Sequence, residues 1–205
     1  MIPRLALGGA GRVAVEEVKH MRRMGVEAEL LTLAKSRASV RVSLAPSPPL
    51  LKTSVPLLTS LIWGLLLRRI DVDVLIAHGI ASIVALRMRR KYGIPYAAYI
   101  HHPNAFLHGT PLHEGEEGEV LGPLAKYPLK LLWSKRRLAA MDRQSLSEAI
   151  HVFTNSRVTL RNTASIYGEI PASVCYPGIG DEFHAIEPDP SVKGEVVLFA
   201  SRHVK

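Results

Sequence analysis

The sequence predicts an α/β protein: a parallel sheet with helices on both faces. Two observations carry this: short apolar, β-branched runs alternate with segments of helical period, and Gly or Pro marks most of the junctions. Each parallel crossover needs about a dozen residues and usually a helix, and the spacing of most of the runs supplies one. At 205 residues and 47% hydrophobic content the chain can bury a substantial core.

The elements follow in order. Residues 8–16 (GGAGRVAVE) are a glycine cluster running into an amphipathic helix. Such a loop lets backbone approach a ligand closely, and the helix N-terminus attracts phosphate or sugar oxygens. A buried strand normally precedes it, but only residues 1–7 are available and Pro3 interrupts them, so the first strand is expected to be missing. Ala14, Val18 and Met21 give the helix its apolar stripe over 11–24, and Gly25 stops it. Residues 26–33 and 39–44 read as strands, the second ended by the prolines at 46, 48 and 49.

Residues 54–67 (SVPLLTSLIWGLLL) are apolar but fall short of the roughly 20 that a spanning helix needs. They read as a buried or groove-lining helix, with a surface-lying membrane helix anchored by Trp63 as the alternative. A covered strand follows at 72–78, a helix at 80–92 ended by Gly93, and a strand at 96–101 introduced by Pro95. Residues 102–123 have no periodicity and read as a functional loop. Residues 124–149 read as a long basic helix with a kink at Pro128. A strand at 150–154, a helix at 156–167 and a strand at 172–176 complete the pattern, with Cys175 expected to pack within the last strand. A linker around Pro188 and Pro190 then leads to an apolar strand at 195–200. These boundaries imply a domain over 1–184 and, over 185–205, a linker with the first strand of a second domain that is otherwise absent.

Composition narrows the function. The lone cysteine allows no internal disulfide and no signal peptide opens the chain, which suits a reducing, cytoplasmic setting. A net charge of +8 and a pI near 9.8 attract anions without choosing among them. Nucleic acid is disfavoured as a partner because only 6% of residues are aromatic. His101, His102, His108 and His113 lack metal-ligand spacing, so no metal site is expected. The acidic run Glu114, Glu116, Glu117 and Glu119 and the basic run Lys135, Arg136 and Arg137 read as solvated faces.

Gly9, Gly11 and Ala14 also fit the dinucleotide fingerprint, with Glu29 at the distance of a ribose-binding acid. That leaves a nicotinamide-binding domain as one alternative. His101, His102, Pro103 and Asn104 close one strand, and His78 with Gly79 closes another; open parallel sheets place ligand contacts at such carboxyl ends. A histidine there can donate to phosphate or to a sugar hydroxyl.

Six segments taken together, 8–32, 71–79, 99–103 (YIHHP), 152–168, 174–183 (VCYPGIGDEF) and 197–205 (VLFASRHVK), resemble the N-terminal half of a retaining glycosyltransferase of family four. The resemblance implies the GT-B fold, two Rossmann-like domains across a cleft, of which this chain is the N-terminal, mainly acceptor-binding half. It implies hexosyl transfer from a nucleotide-sugar to a lipid-linked or polysaccharide acceptor, with no separate cofactor. His101 takes the position of the family's strand-end histidine facing the donor sugar and is the implied catalytic residue. Gly8, Gly9 and Arg202 are implied donor contacts, while Lys205 falls too close to Arg202 to be the usual companion lysine. His78, His102 and Asn104 are acceptor-side candidates, and Ser156 is expected to cap a helix. The nucleotide pocket belongs to the second domain, so this polypeptide is expected to be a fragment, inactive alone, peripheral at the inner membrane face on an anionic surface. A non-catalytic module partnering a separately encoded C-terminal donor domain is the further alternative.

Overall fold

The computed structural model describes residues 1, 9–32, 42–44, 68–108, 135–178, 180 and 187. Among them the chain runs α1 (Gly9–Arg23), β1 (Leu30–Thr32), β2 (Val42–Leu44), β3 (Leu75–His78), α2 (Ala81–Tyr92), β4 (Tyr96–Ile100), α3 (Ala105–His108), α4 (Lys135–Ser147), β5 (Val152–Thr154), α5 (Arg157–Tyr167) and β6 (Ala172–Val174). The alternation read from the sequence is therefore the alternation of the fold. Gly8, Arg202, Lys205, the apolar stretch 54–67, the acidic run, residues 124–134 of the basic helix, the linker prolines and the strand at 195–200 lie outside the described residues.

Every described strand pair is parallel. β3, β4, β5 and β6 form one sheet in that order, with Ala77 opposite Ala98 and Ala98 opposite Val152. β4 is buried at all five positions, which is why YAAYI carries no polar alternation. Among the described residues β1 pairs with β2, and no described strand links these two to β3–β6. The outer edge of β3 carries instead the backbone of Met1, whose amine donates to the Ile76 carbonyl and whose carbonyl accepts from the His78 N–H at 3.0 Å. Leu31 of β1 packs against the same apolar cluster as Met1.

The strands are shorter than their apolar runs. Val72 and Val74 precede β3 and are exposed, because pairing with β4 begins only at Leu75. Cys175 corrects another expectation: it lies just past β6, its side chain is exposed, and only its backbone serves the sheet by donating to the Thr154 carbonyl at 2.8 Å. The loop reading is also amended, since 105–108 form the single turn α3.

The core fills the space between sheet and helices. Val84, Ala85 and Met88 of α2 meet Leu75, Tyr96, Ala98, Ile100 and Val152, together with Leu146 of α4. Each fully buried aliphatic side chain stabilises by about 1.5–3 kcal/mol. A second cluster, Ile83, Leu107 and Leu138, binds α2, α3 and α4 together. Ala14 and Val18 of α1 pack with Leu30 in a third, separate cluster.

Among the described residues the buried side-chain polar groups are paired except the Thr163 hydroxyl. Ser82 and Ser145 hydroxyls lie 2.8 Å apart, and Tyr96 donates its hydroxyl hydrogen to the Ser145 carbonyl at 2.7 Å. Helix ends follow the chemistry of their residues. Ser156 accepts from the Thr159 N–H at 3.1 Å and so caps α5 as expected. Gly93 closes α2 at φ +75°, its N–H donating to the Arg89 carbonyl. No atom lies within 4 Å of where a Cβ would stand at Gly93, so Gly93→Ala meets only backbone strain. That strain costs about 1–2 kcal/mol, and the expected outcome is a thermal midpoint lower by roughly 3–8 °C in calorimetry.

Candidate functional site

Three strand ends and two helices build the site. β3 and β4 run side by side with His78 opposite Tyr99, so His78 closes its strand two residues before the level of His101, which follows β4. Both therefore stand at the carboxyl edge of the sheet, where open parallel sheets place their ligands. His78 Nδ1 lies 3.2 Å from His101 Nε2. The His78 ring stacks on Tyr99 at 5.3 Å and on His101 at 5.4 Å between centroids.

The other His78 nitrogen is held by α1. Its Nε2 lies 2.9 Å from Glu17 Oε2, and the His78 side chain is only 3% exposed. Sequence reasoning passed over Glu17 as one polar position of an amphipathic helix. A signal was present: Glu17 stands three residues after buried Ala14 and one before buried Val18, at the margin of the apolar stripe. Tyr99 was also missed; its hydroxyl donates to the Cys175 carbonyl at 2.7 Å and ties β4 to the end of β6.

His101 is held from below and remains half-buried. Its backbone carbonyl accepts from the Thr159 hydroxyl at 3.3 Å, and that hydroxyl also lies 2.6 Å from Asn155 Oδ1. The N-terminal turn of α5 thus fixes the chain where it leaves β4. His102 is exposed and its Nδ1 lies 3.1 Å from the Pro103 carbonyl. Asn104 opens α3, accepting at its carbonyl from the N–H groups of Leu107 and His108.

Electrostatics keep both histidines neutral. Burial lowers the His78 pKa, with the Glu17 hydrogen bond pulling the other way. Burial likewise lowers that of His101 to about 4, helped by His78 and His102. Burial raises the Tyr99 hydroxyl to about 12, so it stays protonated.

The remaining candidates are placed as follows. Gly9 is the exposed first residue of α1, and a Cβ there would meet nothing within 4 Å. Glu17 is eight residues further on, about 12 Å along the helix axis. Glu29 directly precedes β1 and is exposed, at the amino end of that strand and not at the carboxyl end where a ribose-binding acid must stand. This placement removes the acid from the dinucleotide fingerprint. An apolar cavity of about 340 Å³ lies between α5 and β6, lined by Leu160, Ala164, Gly168, Glu169, Ile170 and Ala172, and none of the histidines borders it. Among the described residues no group of three or more His, Cys, Asp or Glu is arranged to hold a metal ion, and no helix is long and apolar enough to cross a membrane.

Comparison with known proteins places this geometry in context. The family model described as Glycosyltransferase Family 4 matches residues 7–183. No curated protein matches the chain. Among solved structures, a UGT transferase from Siraitia grosvenorii in complex with UDP aligns at 11% identity and a TM-score of 0.43, over 84% of this chain and 46% of that one. The chain thus spans under half the length of that protein.

A pH dependence follows from the histidine pair. The folded-state pKa of His101 lies below its unfolded value near 6.5, so between the two the unfolded chain binds the proton more readily. The stability of the folded state is therefore full above about pH 6.5 and declines as the pH falls toward 4. Calorimetry is expected to show a midpoint lower by roughly 5 °C at pH 5 than at pH 7.5, and a smaller difference in His101→Gln.

Proposed function

The chain belongs to glycosyltransferase family 4, and from that premise we propose that it serves the transfer of a hexosyl group from a nucleotide-sugar to a lipid-linked or glycan acceptor, with retention of anomeric configuration. The observation that carries this reading is His101, a neutral imidazole fixed at the carboxyl edge of a fully buried parallel strand. A neutral ring can exchange a hydrogen bond with a sugar hydroxyl without introducing a charge that would compete for the diphosphate.

Roles are assigned from position. His101 is the residue that faces the transferred sugar. Gly9 opens α1, where unpaired backbone N–H groups and open space above the glycine suit a phosphate or sugar oxygen. Gly8 and Arg202 are proposed donor contacts on the strength of the resemblance. His102 and Asn104 follow His101 along the same edge and are proposed to meet the acceptor. His78 has both ring nitrogens engaged, by Glu17 and His101, and its role is to support His101. The nucleotide pocket itself is assigned to a second domain across the cleft, and no cofactor beyond the donor is required. Exposed Arg136 and Arg137 on α4 add positive charge that suits an anionic membrane face. A module that acts only by associating with a separately encoded donor domain is the second reading.

Transfer is measured with UDP- and GDP-hexoses and lipid-extract acceptors, using the chain alone and with a donor domain supplied in trans. Transfer is expected only with the donor domain present, with the α-linkage of the donor kept in the product, and His101→Ala is expected to lower kcat/KM at least about 10-fold. An inverted product, or full activity in His101→Ala, overturns the reading.

A further inference from the structure

We propose that Glu17 is a positioning residue for His101, acting through His78. The three side chains form a hydrogen-bond chain of fixed direction, which holds His101 as its Nε2–H tautomer and leaves Nδ1 as its acceptor nitrogen. The inference rests on the role proposed for His101 and specifies what that residue can do.

The direction follows from the chemistry of the groups. An ionised carboxylate accepts hydrogen bonds and donates none. Glu17 Oε2 is 2.9 Å from His78 Nε2, so that nitrogen carries the hydrogen. A neutral imidazole has one donor and one acceptor, and burial disfavours the charged form of His78. Its Nδ1 is therefore a lone pair. His101 Nε2 lies 3.2 Å from that lone pair and must supply the hydrogen between them. With burial also keeping His101 neutral, its Nδ1 is left without a proton.

The titratable groups around the chain agree with this order. Tyr99 stacks beside both rings but spends its hydroxyl hydrogen on the Cys175 carbonyl. The Met1 amine, on the outer edge of β3, is lowered to about 5 by burial and so adds little positive charge near neutral pH. His102, next along the chain, opposes a charge on His101. Glu17 on α1 is thus the acid that sets the direction.

The consequence is a restriction on the ligand. His101 oriented this way accepts a hydrogen bond from a hydroxyl and cannot donate one to a phosphate oxygen. A sugar hydroxyl fits, and the diphosphate must be held by other groups.

Histidine tautomers are read directly from two-bond ¹H–¹⁵N correlation spectra of the ¹⁵N-histidine-labelled chain at pH 7.5, with His78→Gln and His101→Gln spectra for assignment. Both rings are expected as Nε2–H tautomers, populated about ten to one or more over the alternative. Glu17→Gln, whose amide oxygen still accepts, should keep the pattern, whereas Glu17→Lys, which only donates, should reverse both tautomers. If the lysine variant does not fold, Glu17→Ala is expected to leave mixed tautomers at both rings. A wild-type His101 seen as the Nδ1–H form or as imidazolium, or a folded Glu17→Lys or Glu17→Ala chain with unchanged tautomers, overturns the proposal. The measurement contains no sugar. Absence of hexosyl transfer would defeat the functional reading and leave this one standing.

Discussion

The contact between Glu17 and the buried His78 ties α1 to the carboxyl end of β3. Ala14, Val18 and Leu30 make a small cluster of α1 with β1, while β3 to β6 hold the main core with α2 and α4. The Glu17 side chain, 24% exposed, gives up part of its water to reach His78, and that step is unfavourable unless its oxygen finds a donor. His78 provides one at 2.9 Å, and because the imidazole stays neutral only one charge is desolvated instead of two. The geometry of the site is therefore also a constraint on how α1 sits against the sheet.

The segment leaving β4 is fixed at both ends by a second set of polar contacts. Thr159 holds the His101 carbonyl at one end. At the other, Asp142 Oδ2 accepts from the Tyr167 hydroxyl at 2.7 Å and lies 2.8 Å from His108 Nε2, while Leu107 packs with Ile83 and Leu138. Eight residues that carry three candidate ligand contacts are thus anchored to α4 and α5. Preorganisation of this kind lowers the ordering cost that a bound sugar would otherwise meet. It also explains why α3 forms where the sequence showed no periodicity: the turn is held by His108 and Leu107, partners distant in the chain.

Local signals made most of the fold legible. Glycines at 25 and 93 sit at the left-handed positions their placement after apolar helices implied, and Ser156 caps α5 through the hydroxyl that marks such caps. The strand ends at His78 and His101 could be read because apolar runs stop there. Strand lengths could not, since pairing depends on where a neighbour lies: Val72 and Val74 are as apolar as Leu75 but have no pairing strand. The exposure of Cys175 was hidden for the same reason. Of the site, the sequence located the histidines and missed Glu17, because an acid beside an apolar stripe looks like any solvated position until its partner on another element is known.

Long-range attraction and local recognition are separated in this molecule. A net charge of +8 draws anions toward the surface as a whole. The histidine pair contributes nothing to that field, since burial holds both rings neutral. A neutral, partly desolvated acceptor discriminates by hydrogen-bond direction, because a ligand group without a hydrogen to offer leaves the nitrogen unpaired and loses the contact. The exposed start of α1 at Gly9 is of the opposite kind, since the first backbone N–H groups of a helix have no intrahelical partner. A transferase of nucleotide-sugars needs both capacities within reach of one substrate: a donor surface for the diphosphate and an acceptor for the sugar hydroxyls. In the proposed reading the carboxyl edge of β3 and β4 offers the second, and its direction is set by the carboxylate of a helix that the sequence shows only as an amphipathic surface.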